Sequence, residues 1–98
     1  MTIYQYRASA TASAGSTSTT SLNIRGGICR QVRIVANTAS TTFLSNITDA
    51  NSLVVARYPS QQGELDDITS IPMAGRYTVN ITNASADDTF TIYLGVEE

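Results

Sequence analysis

The chain has 98 residues, a formal net charge of −2 and only 14% charged side chains, against roughly 25% in an average globular domain. That length supports one domain burying roughly 60–65% of its unfolded surface. An acidic balance with six arginines and no lysine argues against nucleic acid as a partner, the lack of histidine removes the usual base for activating a nucleophile, and a single cysteine, Cys29, excludes an internal disulfide.

Serine and threonine make up about a quarter of the chain, so its surface is expected to be wetted by hydroxyls and amides more than by ions. No basic run followed by an apolar stretch opens the sequence, and no segment approaches a membrane span. The expectation is therefore no signal peptide, no membrane partner and synthesis in a cytoplasm.

Residues 2–7 alternate and are rich in β-formers, which predicts a short strand. Residues 8–21 carry neither charge nor large apolar groups and read as a linker, an extended arm or a polar edge strand broken at Gly15. The expected organisation is a strand and Ser/Thr/Ala-rich arm over residues 1–21 and a β-sandwich over residues 22–98. Order in a hydroxyl-rich arm needs backbone hydrogen bonds, which a neighbouring subunit's sheet edge supplies. Ile3, Tyr4, Tyr6 and Arg7 are then the candidate interface residues.

Leu22 and Ile24 begin an apolar alternation that Gly26 and Gly27 interrupt. Ile28, Val32, Ile34 and Ala36 share one face of the next strand, with Cys29, Gln31 and Arg33 on the polar face. Residues 37–40 form a turn, residues 41–48 a strand with Phe43 and Ile47 inward, and residues 49–52 another turn. Residues 53–58 are a near-continuous apolar run, predicting a central strand ended by Pro59. Residues 60–70 are polar, acidic and irregular, and residues 71–75 a sharp corner.

The most regular stretch comes last. Tyr77, Val79 and Ile81 alternate with polar residues, as do Phe90, Ile92 and Leu94, and turn-forming residues 83–88 lie between. This predicts an antiparallel hairpin with its apolar face inward, against Leu22, Ile24, Val32, Ile34 and Ile47. With no helical period, the fold class is all-β: a single antiparallel β-sandwich of seven to eight strands, Greek-key/immunoglobulin-like or jelly-roll-like. Residues 74–79 resemble the corner of immunoglobulin-like sandwiches in which a tyrosine, here Tyr77, caps the turn through its hydroxyl.

Charge is uneven. Residues 1–60 hold five arginines against Asp49, and residues 61–98 hold Arg76 against seven acids. The imbalance either marks complementary surfaces on neighbouring subunits or carries no role.

Few residues invite chemistry. Cys29 has no base beside it in sequence and reads as an ordinary thiol. Asp66 with Asp67, and Asp87 with Asp88, raise a general-acid or calcium reading. Both pairs sit in expected loops, where adjacent acids are usually solvated. The sequons at Asn46, Asn80 and Asn83 follow from a threonine-rich strand pattern. A carbohydrate platform would draw on Tyr4 or Tyr6 with Tyr58 and Tyr93. No catalytic residue, metal or cofactor is expected, and the chain reads as no enzyme.

The run Ile24-Arg-Gly-Gly-Ile-Cys-Arg-Gln-Val-Arg-Ile34, with Pro72-Met-Ala-Gly-Arg-Tyr-Thr-Val-Asn-Ile-Thr-Asn-Ala-Ser85, resembles small virion proteins of tailed bacteriophages. Many of these are β-sandwich capsid decoration (cement) proteins. The resemblance implies a structural protein of the capsid exterior that stabilises the lattice by bridging neighbouring major capsid subunits. Its implied partners are the major capsid protein and further copies of itself, as a trimer or dimer. The alternative is a phage tail- or fibre-associated module or a carbohydrate-binding interaction domain.

Overall fold

The computed structural model describes residues 3–98; Met1 and Thr2, at the start of the expected strand and arm, lie outside it. Six strands form one antiparallel sheet: β1 (Ile3–Ala12), β2 (Ser18–Ala36), β3 (Thr42–Thr48), β4 (Val54–Gln62), β5 (Glu64–Thr82) and β6 (Asp88–Glu97). Their order across the sheet is β1-β6-β2-β5-β3-β4.

The 19-residue strands β2 and β5 organise the rest. They pair along nearly their whole length, with register shifts between Ile24 and Gly27 and between Cys29 and Gln31. On one side of these bulges the end of β2 pairs with β6, which carries β1. On the other side the end of β5 pairs with β3, which carries β4. Bulges bend strands and increase their twist, and the sheet turns back on itself. The rings of Phe43 in β3 and Phe90 in β6 therefore meet edge to face, centroids 5.0 Å apart, although these strands share no ladder.

Gly27 makes the bend possible. It has φ of +152°, and a Cβ there would lie 2.4 Å from the Glu97 carbonyl oxygen, so only glycine lets β6 approach so closely.

Between the two halves lies one apolar core. Val32, Ile34, Phe43, Ile47, Val79, Ile81, Phe90, Ile92, Leu94 and Val96 are fully buried, and Leu22, Ile24 and Tyr77 nearly so. The Tyr77 hydroxyl accepts a hydrogen bond from the Ala74 amide at 3.0 Å, tying the side chain back to its own strand rather than capping a turn. At the opposite end Asp88 anchors the loop after β2, accepting from the Thr38 amide at 3.0 Å and the Thr41 hydroxyl at 2.8 Å.

Several expectations change. Residues 77–81 and 90–94 do not form a hairpin: β5 and β6 are not neighbours, and their apolar faces meet across the core. The chain runs through Gly26-Gly27 and through residues 71–75 without breaking strand, so six continuous strands replace seven or eight shorter ones. Residues 64–70, expected to be irregular, are the start of β5. The apolar run at 53–58 opens the edge strand β4, where Pro59 is tolerated because the ladder shifts register between Phe43 and Ser45. Cys29 is fully buried, since the bulge at Arg30 moves it to the core face. Ile3–Ala12 pairs with β6 throughout, burying Ala10 and Ala12, so it is an integral edge strand of its own sheet. The expected boundary after residue 21 falls inside β2.

Candidate functional site

The half of the sheet made by β1, β6, the end of β2 and the start of β5 presents an outer face of charged and polar side chains. Strand alternation and register fix its composition. Arg7 stands opposite Tyr93, Tyr93 opposite Arg33, and Arg33 opposite Asp66. Both guanidinium groups lie over the Tyr93 ring, Arg7 at 5.9 Å and Arg33 at 5.7 Å from its centroid. At such distances each cation is attracted by the ring's electron-rich face.

Acids from β5 complete the face on one side only. Glu64 pairs with the Nε of Arg33, and this hydrogen bond raises the Arg33 pKa, keeping the guanidinium charged. Asp66 accepts from the Gln31 amide at 2.8 Å. Among the described residues no carboxylate lies within salt-bridge distance of Arg7. Ile3 and Ile68, 58% and 78% exposed, stand on the same face. Gly95 lies between Gln5 and Gln31 and is buried beneath the side chains of Gln31 and Ile3.

The four interface candidates therefore separate. Ile3 and Arg7 share the outer face. Tyr4 and Tyr6 alternate to the other side of β1 and gather under Arg25: the Arg25 guanidinium lies 5.9 Å from the Tyr4 ring centroid, and its amide donates to the Tyr6 hydroxyl at 3.1 Å. Sequence reasoning does not single out Tyr93 or Arg33 as interface residues, and offers the charged stretch 64–67, with Glu64 and Asp66, only as a fallback binding surface. The polar phase of Tyr93 and Arg33 is visible in sequence, but neither the strand that carries Glu64 and Asp66 nor the register that sets all four beside Arg7 is.

The other chemical candidates are held apart. Among the described residues no three acidic, histidine or cysteine side chains converge to hold a metal. Asp66 and Asp67 point to opposite faces, Asp67 accepting from the Tyr58 hydroxyl at 3.0 Å. Burial first, and this hydrogen bond second, push the Tyr58 pKa up. Asp87 accepts from the Ala14 amide at 2.8 Å. Burial raises the Asp88 pKa, but hydrogen bonds from Thr41 and from the backbone of Thr38, Thr89 and Asn37 outweigh it and hold the carboxyl below its ordinary value. Burial likewise pushes the Cys29 thiol up, away from the thiolate a nucleophile needs.

On the opposite outer face a polar cleft is lined by Thr48, Asp49, Ser52, Arg76, Thr78 and Asn80. The Asn80 amide donates to Asn46 at 2.7 Å. Tyr58 and Tyr93 share no face with each other, so the tyrosines build no common platform.

No family model matches this chain, and no curated protein sequence matches it. Solved structures with a similar fold include PliG, a periplasmic inhibitor of g-type lysozyme from Aeromonas hydrophila. Its TM-score is 0.53 at 13% identity, over 97% of this chain and 86% of that one. PirA gives a TM-score of 0.50 at 15% identity, over 93% of both chains. The Yersinia pseudotuberculosis-derived mitogen gives 0.48 at 13% identity, over 99% of this chain and 87% of its own. At identities this low, PliG and PirA relate to this chain by fold alone.

Proposed function

We propose that this chain is a non-enzymatic structural protein of a phage particle, a capsid decoration protein that binds the outer lattice and bridges neighbouring major capsid subunits. The observation that carries the reading is the outer face built around Tyr93, with Arg7 free of an acidic partner and Ile3 and Ile68 open to water. A half-buried tyrosine between two arginines, flanked by exposed aliphatic groups, is the kind of surface protein contacts are made from. The resemblance to small virion proteins supplies the phage setting. On this reading the fold is a jelly-roll sandwich of eight segments, β2 and β5 each bending to serve both layers.

Mass spectrometry of purified particles, with copy number, tests the proposal. Hundreds of copies per particle are expected, and co-sedimentation with undecorated capsids should be lost on Tyr93→Ala. A handful of copies would favour the tail or fibre reading instead. A carbohydrate-binding role rests on the cleft around Arg76, Thr78 and Asn80, and binding to a glycan array abolished by Asn80→Ala would favour it.

A further inference from the structure

The outer face is ruled in rows that cross four strands. From β1 to β5 one row reads Arg7, Tyr93, Arg33, Asp66; its neighbours read Gln5, Gly95, Gln31, Ile68 and Ser9, Thr91, Val35, Glu64. Charge thus changes from a cation at the β1 edge to acids at the β5 edge. Neither edge has a further strand partner: β1 ends the sheet, with only its Ser9 carbonyl taken, by the Thr20 hydroxyl at 3.3 Å, and residues 64–73 of β5 pair only with β2. Each strand runs antiparallel to the next, so a strand added antiparallel to the start of β5 would run in the same direction as β1.

We propose that copies of this chain associate head to tail, β1 of one copy pairing with residues 64–70 of the next and extending the sheet. Continued in register, each row sets Arg7 of the added copy beside Asp66 and Gln5 beside Ile68, with Ile3 diagonally across. The unpaired arginine gains a carboxylate, and Ile68, the most exposed large apolar side chain, gains a cross-strand neighbour while its outer side stays on the shared face.

The other edge combinations are disfavoured. β4 carries Pro59 and two register shifts, devices that block edge pairing. Two β5 edges would set Glu64, Asp66 and Asp67 against one another. β1 has no proline, glycine or acid, and only the acidic β5 edge complements its arginine. A contact between two different edges is heterologous and cannot close at two copies, so the assembly has three or more. The proposal stands independently of what the assembly is seated on.

Light scattering coupled to size exclusion, on the full chain, tests it. At low salt the mass should be three or more times 10.5 kDa, falling toward the monomer at about 0.5 M salt, where the Debye length is only a few ångströms. Arg7→Glu and Asp66→Arg should each give monomer, and the double charge reversal should restore the assembly. Ile68→Glu, a change at a side chain 78% exposed in the single copy, should give monomer with unchanged circular dichroism. A monomer at every concentration, a two-copy species, or an assembly indifferent to these variants overturns the proposal.

Discussion

Phe90 and Phe43 are the two largest fully buried side chains, and their contact joins the two halves of the folded-over sheet. Truncating Phe90 to alanine removes both the transferred area and a well-packed neighbour, so a loss of about 3–5 kcal/mol is expected, measured as a lower urea midpoint. A midpoint within error of the parent would refute this packing. Asp88 gives a pH-dependent counterpart. Its folded pKa lies below the ordinary aspartate value, so its stabilisation is complete above the unfolded pKa, about 4, and is lost as pH falls through the folded value. Asp88→Asn should therefore cost about 1.5–3 kcal/mol at neutral pH, with the gap to the parent closing in acid. A gap that is constant with pH would show that the charge is not what matters. Cys29 is fully buried, its thiol donating to the Gln31 carbonyl at 3.4 Å. It should react with a disulfide reagent only after unfolding; rapid labelling of the native protein would contradict its burial.

At the scale of elements, what alternation reveals and what it hides separate cleanly. The inward faces of Tyr77, Val79 and Ile81, of Phe90, Ile92 and Leu94, and of Phe43 and Ile47 were legible because a period of two reports which face is buried. Alternation carries no information about whether two strands lie side by side or face each other across a core, which is why 77–81 and 90–94 read as a hairpin. Bulges are equally hidden. The extra residue at Arg30 moves Cys29 inward, and no residue type there announces it. The outer face was illegible for the same reason: Arg7, Tyr93 and Arg33 are joined only by register between strands distant in sequence. For β1, low complexity suggested an arm, but alanines at 10 and 12 are small enough to pack beneath the core's rim, and the ladder to β6 satisfies the backbone. Deleting residues 3–12 should therefore expose one side of β6 and abolish cooperative thermal unfolding. A deleted chain that still melts sharply would return β1 to the status of an arm.

For the whole molecule, connectivity sets how it folds. In the order β1-β6-β2-β5-β3-β4, β3 and β4 are the only consecutive strands that are also neighbours within the described sheet; every other ladder joins segments far apart in sequence. Closing such long loops costs entropy before contacts repay it, so refolding is expected in milliseconds to seconds, as for other β-rich domains of high contact order. The β3–β4 turn is the one place where local chemistry can act early. There the Asp49 carboxylate accepts from the amides of Asn51 at 2.9 Å and Leu53 at 3.0 Å. The turn between β5 and β6 instead crosses from one half of the sheet to the other, its Ser85 hydroxyl accepting from the Thr42 amide at 2.9 Å, and those halves meet only when the sheet has closed. Asp49→Ala and Ser85→Ala each remove a side chain that accepts turn hydrogen bonds, worth about 1 kcal/mol per bond, yet they should divide that loss differently. Stopped-flow tyrosine fluorescence should show Asp49→Ala mainly slowing folding and Ser85→Ala mainly speeding unfolding. The reverse pattern would mean that the second turn forms first, and that closure of the sheet precedes its only local hairpin.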